Sequence, residues 1–388
     1  MVDVPVEPSV LVWARNERGL SPSEASERLN ITESELSEIE SGNRVVTLGL
    51  VERMARSYSM PLASLLMPSP PVSRSNALKD FRSFDGVHIR VLSPKTMLAI
   101  SHASNYLELL ADLKESAPKF FPRCSVPSES LSADPRMVAA EERQRLAGGV
   151  IGISESHTPR DRFLRMRELV ESQGIFTYQL KFGDDHTRGI SLWDENEIPI
   201  IIINASESDY PAKIFTLWHE YAHIVLRTGG ISDQNCSDHV ERFCNLFAAH
   251  FLMPMSEFKG VALQIKAAGK EWCDWHVARL ANLFGVSKSA VALHLEEAGL
   301  VREGFYAALK ALWGLRKNNL SAGRSEYNER VANRLGSKHI LTVISAYHHG
   351  ILNRLDTVEY LGIKPNHFAA VEREALDRRG AYERALQS

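Results

Sequence analysis

Residues 197–204, EIPIIIIN, leave this chain fewer structural choices than any other segment. Ile200, Ile201, Ile202 and Ile203 are β-branched and follow Pro199, so the run reads as a strand opened by the proline. An unbroken apolar run has no polar face to give to water and suggests burial on both sides. Residues 213–226, KIFTLWHEYAHIVL, follow closely and have helical apolar spacing. They carry His219, Glu220 and His223 in the order H-E-x-x-H. Upstream, RDRFLRMRELVESQGI (160–175) reads as an amphipathic helix running to Gly174. IFTYQL (175–180) and GISLW (189–193) are further strand candidates. The middle of the chain is therefore expected to be α+β: a helix, two or three strands, then helices.

Elsewhere the pattern is helical. The 388 residues exceed one ordinary core and imply two or three domains. Residues 10–67 contain five short helical periods. Ser21 with Glu24 and Thr32 with Glu35 form capping-box patterns at two of their starts. Two middle helices joined by a tight turn make a helix-turn-helix pattern. Pro68, Pro70 and Pro71 then mark a linker or domain edge. Residues 95–115 and 134–147 are helical in character. VARLANLFGV and SKSAVALHLEEAGL form a second helix pair, with Gly285 and Ser287 at the turn. Residues 302–388 are helical, with 14 Lys/Arg against 9 Asp/Glu.

Composition excludes some classes. A 44% hydrophobic, 24% charged chain with net charge −3 is globular, and any basic surface must be local. No apolar run reaches the length of a membrane span. The segment MVDVPVEPSV lacks a basic end followed by an apolar run, so no signal peptide is expected. Cys124, Cys236, Cys244 and Cys273 are widely spaced, which fits reduced thiols and a cytoplasmic location.

On a helix, residues four apart lie about 40° from each other, so His219 and His223 can hold one metal ion. Glu220 lies about 100° further round and can act as a base. A catalytic zinc (Zn2+) needs a third protein ligand and an open position. The metzincin class would require glycine and histidine where this chain has Leu226 and Gly229, so that class is excluded. In HVERFCNLFAAHFLMP, Glu241, Asn245, Ala248 and Leu252 share one helix face. Glu241 is the favoured third ligand and Asn245 its outer partner; Asp238 and Cys244 are rivals. His250, half a turn from Glu241, should point elsewhere. His186 and Tyr221 are candidates for stabilising an oxyanion.

HEYAH followed by VERFCNLFAAHFLMP resembles the ImmA/IrrE family of zinc metallopeptidases. That family shows F-T-x-x-H-E-x-x-H and then E-x-x-A-N-x-F-A-x-x-L-L-M-P. The matching positions are Phe215, Thr216, His219, Glu220, His223, Glu241, Asn245, Phe247, Ala248, Leu252, Met253 and Pro254. Tyr221 and Ala222 stand where Leu-Gly is usual, and Cys244 replaces Ala. The resemblance implies zinc held by His219, His223 and Glu241, with Glu220 as the base. The segment ARNERGLSPSEASERLNITESELSEIESGNRVVT is similar to the XRE helix-turn-helix family, with Thr47 where proline is common.

These resemblances imply a mostly helical α+β protein in five parts. They are an XRE-like domain (8–68), a helical connecting region (69–159), a zincin-like peptidase core with a small sheet (160–270), a helix-turn-helix-like segment (271–301) and a basic helical region (302–388). The expected activity is a zinc-dependent endopeptidase whose protein substrate is a helix-turn-helix repressor or another product of the same operon. The alternative is an antitoxin-like or autoregulatory regulator that binds a PIN-like toxin partner, with the metal structural. Thr32, Ser34, Ser37 and Arg44 are the candidate residues for docking DNA or protein, and pairing into a homodimer is open to such a module. Residues 10–67 hold six Arg and eight Glu, a net of −2. That balance repels a phosphate backbone and suits a basic protein partner.

Overall fold

The computed structural model describes residues 3–17, 20–58, 62–70, 94–119, 121–147, 158–183, 187–193, 198–227, 237–266, 271–313 and 326–387. The protein is α+β and mostly helical, and it divides into two compact units. None of the described helices is long and apolar enough to cross a membrane.

The first unit contains the helix-turn-helix. Strand β1 (Asp3–Val4) precedes α1 (Pro8–Glu17), α2 (Pro22–Leu29) and α3 (Glu33–Glu40). Strand β2 (Val46–Thr47), α4 (Leu48–Ser57) and α5 (Leu62–Leu65) follow. β1 and β2 pair antiparallel, with Asp3 opposite Thr47. Both expected capping boxes form: Ser21 and Glu24 close the start of α2, and Thr32 and Glu35 that of α3. Each such cap contributes roughly 1 kcal/mol by satisfying helix N–H groups that have no partner in the helix. Leu11, Leu29, Leu36, Ile39, Val51 and Met54 fill the core. Arg15 lies across it, bonding Glu40 through Nε at 2.6 Å and Nη2 at 2.9 Å.

Helix α6 spans Pro94–Ser116. The second unit holds α7 (Pro135–Ala147), α8 (Pro159–Ser172) and a three-stranded sheet of β3 (Phe176–Leu180), β4 (Gly189–Trp193) and β5 (Pro199–Asn204). The strand order is β3-β5-β4, so the isoleucine strand is central. It runs parallel to β3 and antiparallel to β4, and every one of its residues is buried. Pro199 opens β5 opposite Trp193, at the first position, where a missing N–H breaks no ladder.

Helix α9 (Tyr210–Leu226) carries the H-E-x-x-H residues, and α10 (Ser237–Leu252) packs beside it. Trp218 stacks on Phe251 with centroids 3.6 Å apart. Two aromatic rings in contact fix one helix against the other. Then come α11 (Met255–Ile265), α12 (Asp274–Phe284), α13 (Lys288–Glu297), α14 (Phe305–Trp313), α15 (Tyr327–His348), α16 (Arg354–Leu361), a 3-10 turn at Pro365–His367 and α17 (Phe368–Gln387). The turn between α12 and α13 has the expected signals: Gly285 is left-handed, and Ser287 caps α13 through Ala290 N–H.

Helix α15 is broken at Gly336, whose φ of 76° favours glycine. The break frees backbone groups, and α8 takes them up. Arg167 Nη1 donates to the Asn333 carbonyl at 2.6 Å, while Glu171 accepts from Lys338 N–H at 2.8 Å. Glu168 accepts from the Ser337 hydroxyl. Both ends of the break thus meet groups of the sign that their helix termini prefer. Arg167 and Glu171 are also ion-paired at 3.1 Å and almost fully buried. Nearby, His339 Nδ1 meets Tyr178 Oη at 2.9 Å and its Nε2 meets the Tyr360 carbonyl at 3.2 Å. Part of the basic character of 302–388 is used inside the unit: Arg378 pairs with Glu374, and Arg334 donates to the Leu361 carbonyl.

Candidate metal centre

Helices α9 and α10 bring three ligating side chains together. His219 Nε2 and His223 Nε2 are 3.3 Å apart. Glu241 reaches both, with oxygens 3.3 Å from His219 Nε2 and 3.4 Å from His223 Nε2. Ligands held about 2.0–2.1 Å from a tetrahedral zinc stand roughly 3.3 Å from one another, so the triangle has the size that zinc requires. The tautomer fits as well. His219 Nδ1 lies 3.1 Å from Asn245 Oδ1, and a carbonyl oxygen only accepts. The proton is therefore on Nδ1, and the Nε2 lone pair points into the triangle. Lone pairs converging on one point call for a cation, and these residues fit a zinc ion.

The neighbouring imidazoles, His219 and then His223, hold the Glu241 carboxyl well below the usual carboxylate range. Burial opposes a charged His219, but Glu241 and Glu220 outweigh it and raise its pKa. The Glu241 side chain is 55% exposed and the two histidines about 15%, so one side of the triangle faces solvent. The rival Asp238 is exposed and lies outside the group. Cys244 is buried, and burial pushes its thiol up, away from the thiolate a metal would need.

Glu220 is buried between α9 and β4. A Cβ added at Gly189 would stand 2.6 Å from Thr216 Cγ2 and 2.7 Å from Glu220 Oε1. Only glycine lets this strand pass so close to the carboxylate. A glycine opening a strand is the signal for this in the sequence, and hydrophobic periodicity does not weigh it. Tyr221 is not near the triangle. Its ring is fully buried on the opposite side of α9, donating to Glu142 Oε2 at 2.6 Å and accepting from Arg145 Nη2 at 3.0 Å. This corrects its candidacy for the oxyanion: two hundred degrees, roughly, separate residues two apart on a helix. His186 lies outside the described residues. His250 points away from the triangle, as its spacing implied, and lies beside Glu297.

In the first unit, Thr32, Ser34 and Ser37 are exposed on or beside α3, together with Glu33 and Glu38. The Thr32 hydroxyl is engaged in the cap of α3. Arg44 lies 2.9 Å from Glu35 and 3.7 Å from Glu38. The cation expected to dock a partner is thus paired with carboxylates of the preceding helix α3.

Comparison with protein families matches residues 170–296 to the IrrE N-terminal-like peptidase domain and residues 10–65 to a helix-turn-helix domain. The chain joins these two domains, the helix-turn-helix first. No curated protein shows significant similarity to it.

Proposed function

We propose that the protein is a zinc-dependent endopeptidase acting on a regulatory protein, a helix-turn-helix repressor or a partner from the same operon. The observation that carries this reading is the tetrahedral-sized triangle of His219, His223 and Glu241 with Glu220 beside it. Zinc, when bound there, supplies Lewis acidity toward a peptide carbonyl and acidifies water. Asn245 fixes the His219 ring so that Nε2 faces the ion. Glu220 takes a proton from the attacking water and hands it to the leaving amine nitrogen. Strand β4 pairs only with β5 among the described strands. Its other edge offers backbone groups to an extended peptide beside Glu220.

The helix-turn-helix unit serves as the docking element. Its α3 face presents Glu33 and Glu38, and Arg44 is spent on Glu35, which favours a basic protein segment over a phosphate backbone. The test is intact-mass analysis of the chain co-expressed with the neighbouring regulator. Glu220→Gln is expected to slow cleavage about 10²–10⁴-fold while zinc is retained. Cleavage at the wild-type rate ends the peptidase reading. In the same assay, Glu33→Lys with Glu38→Lys is expected to slow cleavage without loss of zinc; an unchanged rate removes the docking role.

A further inference from the structure

The buried His250 of α10 and His294 of α13 and the exposed Glu297 of α13 each offer a ligating atom within 4.8 Å of the others. His294 Nε2 lies 2.8 Å from the Met253 carbonyl. That oxygen only accepts, so Nε2 carries the proton and Nδ1 carries the lone pair. The lone pair faces Glu297 Oε2 at 3.4 Å. The other oxygen, Oε1, accepts from Arg136 Nε at 3.0 Å and Nη2 at 2.7 Å, and His250 Nε2 lies 3.0 Å from it. Oε2 thus meets an acceptor where it needs a donor or a cation. The His294 side chain is 1% exposed, and Phe258 closes one side of its ring. Two acceptors facing each other repel unless a positive charge lies between them.

The geometry points to a second cation site, at which His250 Nε2, His294 Nδ1 and Glu297 Oε2 take a divalent ion of the zinc class. Imidazole and carboxylate donors suit such an ion. His294 Nδ1 and Glu297 Oε2, 3.4 Å apart, are close to the roughly 3.3 Å edge of a tetrahedral zinc. Arg136 holds the carboxylate from its outer oxygen, as groups behind metal ligands commonly do. The site joins the far end of α10 to α13. Both histidines are buried, and its role is to staple the downstream helix pair to the helix that carries Glu241.

The experiment is zinc uptake by the metal-stripped full chain, counted by elemental analysis after gel filtration. The wild type is expected to hold two zinc ions per chain. His219→Ala with His223→Ala is expected to hold one, and so is His294→Asn; the triple variant is expected to hold none. No ion in the His219/His223 variant, or one ion in the wild type that His294→Asn leaves in place, overturns the second site. Should His294→Asn fail to fold by circular dichroism, Glu297→Gln takes its place. As a second readout, zinc is expected to raise the Tm of the His219/His223 variant, and adding His294→Asn is expected to abolish that rise. The absence of any rise also overturns the site. A chain that keeps one zinc only at His294 sinks the peptidase reading instead, so the two failures are distinguishable.

Discussion

The second unit contains two polar clusters of opposite design. Around His219, three ligating atoms face one another with one side open to solvent. Around Gly336, Arg167, Glu168, Glu171 and His339 are sealed, and their polar atoms end on protein groups. The sealed cluster spends its hydrogen-bonding capacity on backbone freed by a break in α15, and in doing so it fastens the C-terminal helices to α8. In the open cluster the polar atoms meet one another instead. A buried polar group that has all its partners is a fastening; one that converges with others on a common point is a receptor.

Three changes would break or sharpen that contrast. Arg167→Met leaves the buried Glu171 without its cation and frees the Asn333 carbonyl. A loss of about 3–5 kcal/mol is expected in denaturant unfolding. A loss under about 1 kcal/mol would mean that the cluster is not a fastening.

His339 comes next. Burial pushes its pKa down to about 4. A depressed pKa in the folded state contributes stability above the unfolded value, near 6.5, that is lost as pH falls toward 4. The expected loss is up to about 3 kcal/mol. Glu168 works in the opposite sense. Burial, and then the charge on Glu171, raise its pKa, so its contribution falls as pH rises. The measurement is therefore the difference between wild type and His339→Gln across pH 4–7, with the variant expected to have the flatter acid limb. Parallel curves would remove His339 as the cause.

The smallest effect is expected at the open cluster. Asn245→Ala releases the His219 ring and should weaken zinc binding there about 10–100-fold, as read by chelator competition. Global stability should change little, because the three proposed ligands themselves remain. A large loss of stability instead would make Asn245 a fastening too.

The elements legible in the sequence were those with local causes. The isoleucine strand, both capping boxes and the Gly285 turn depend on neighbours within a few residues, and they stand where periodicity put them. The histidine pair is equally local, since helical spacing alone aligns positions four apart. Glu241 was legible only as one of several residues near a helix face, because its partner helix is not encoded in its own spacing. Gly189, Arg167, Glu171 and the pairing of His294 with Glu297 across from His250 had weaker signals or none. Each acts on a residue far away in the chain.

Sequence by itself determined the mostly helical α+β class, the central apolar strand, and which helix face carries His219 and His223, because each follows from side-chain shape and local hydrogen bonding. Tertiary structure decided which acid meets those histidines, that Tyr221 is committed to Glu142, and that Arg44 is neutralised by Glu35. Those outcomes depend on how helices approach one another. That approach is set by packing summed over many contacts, which no short stretch of sequence contains.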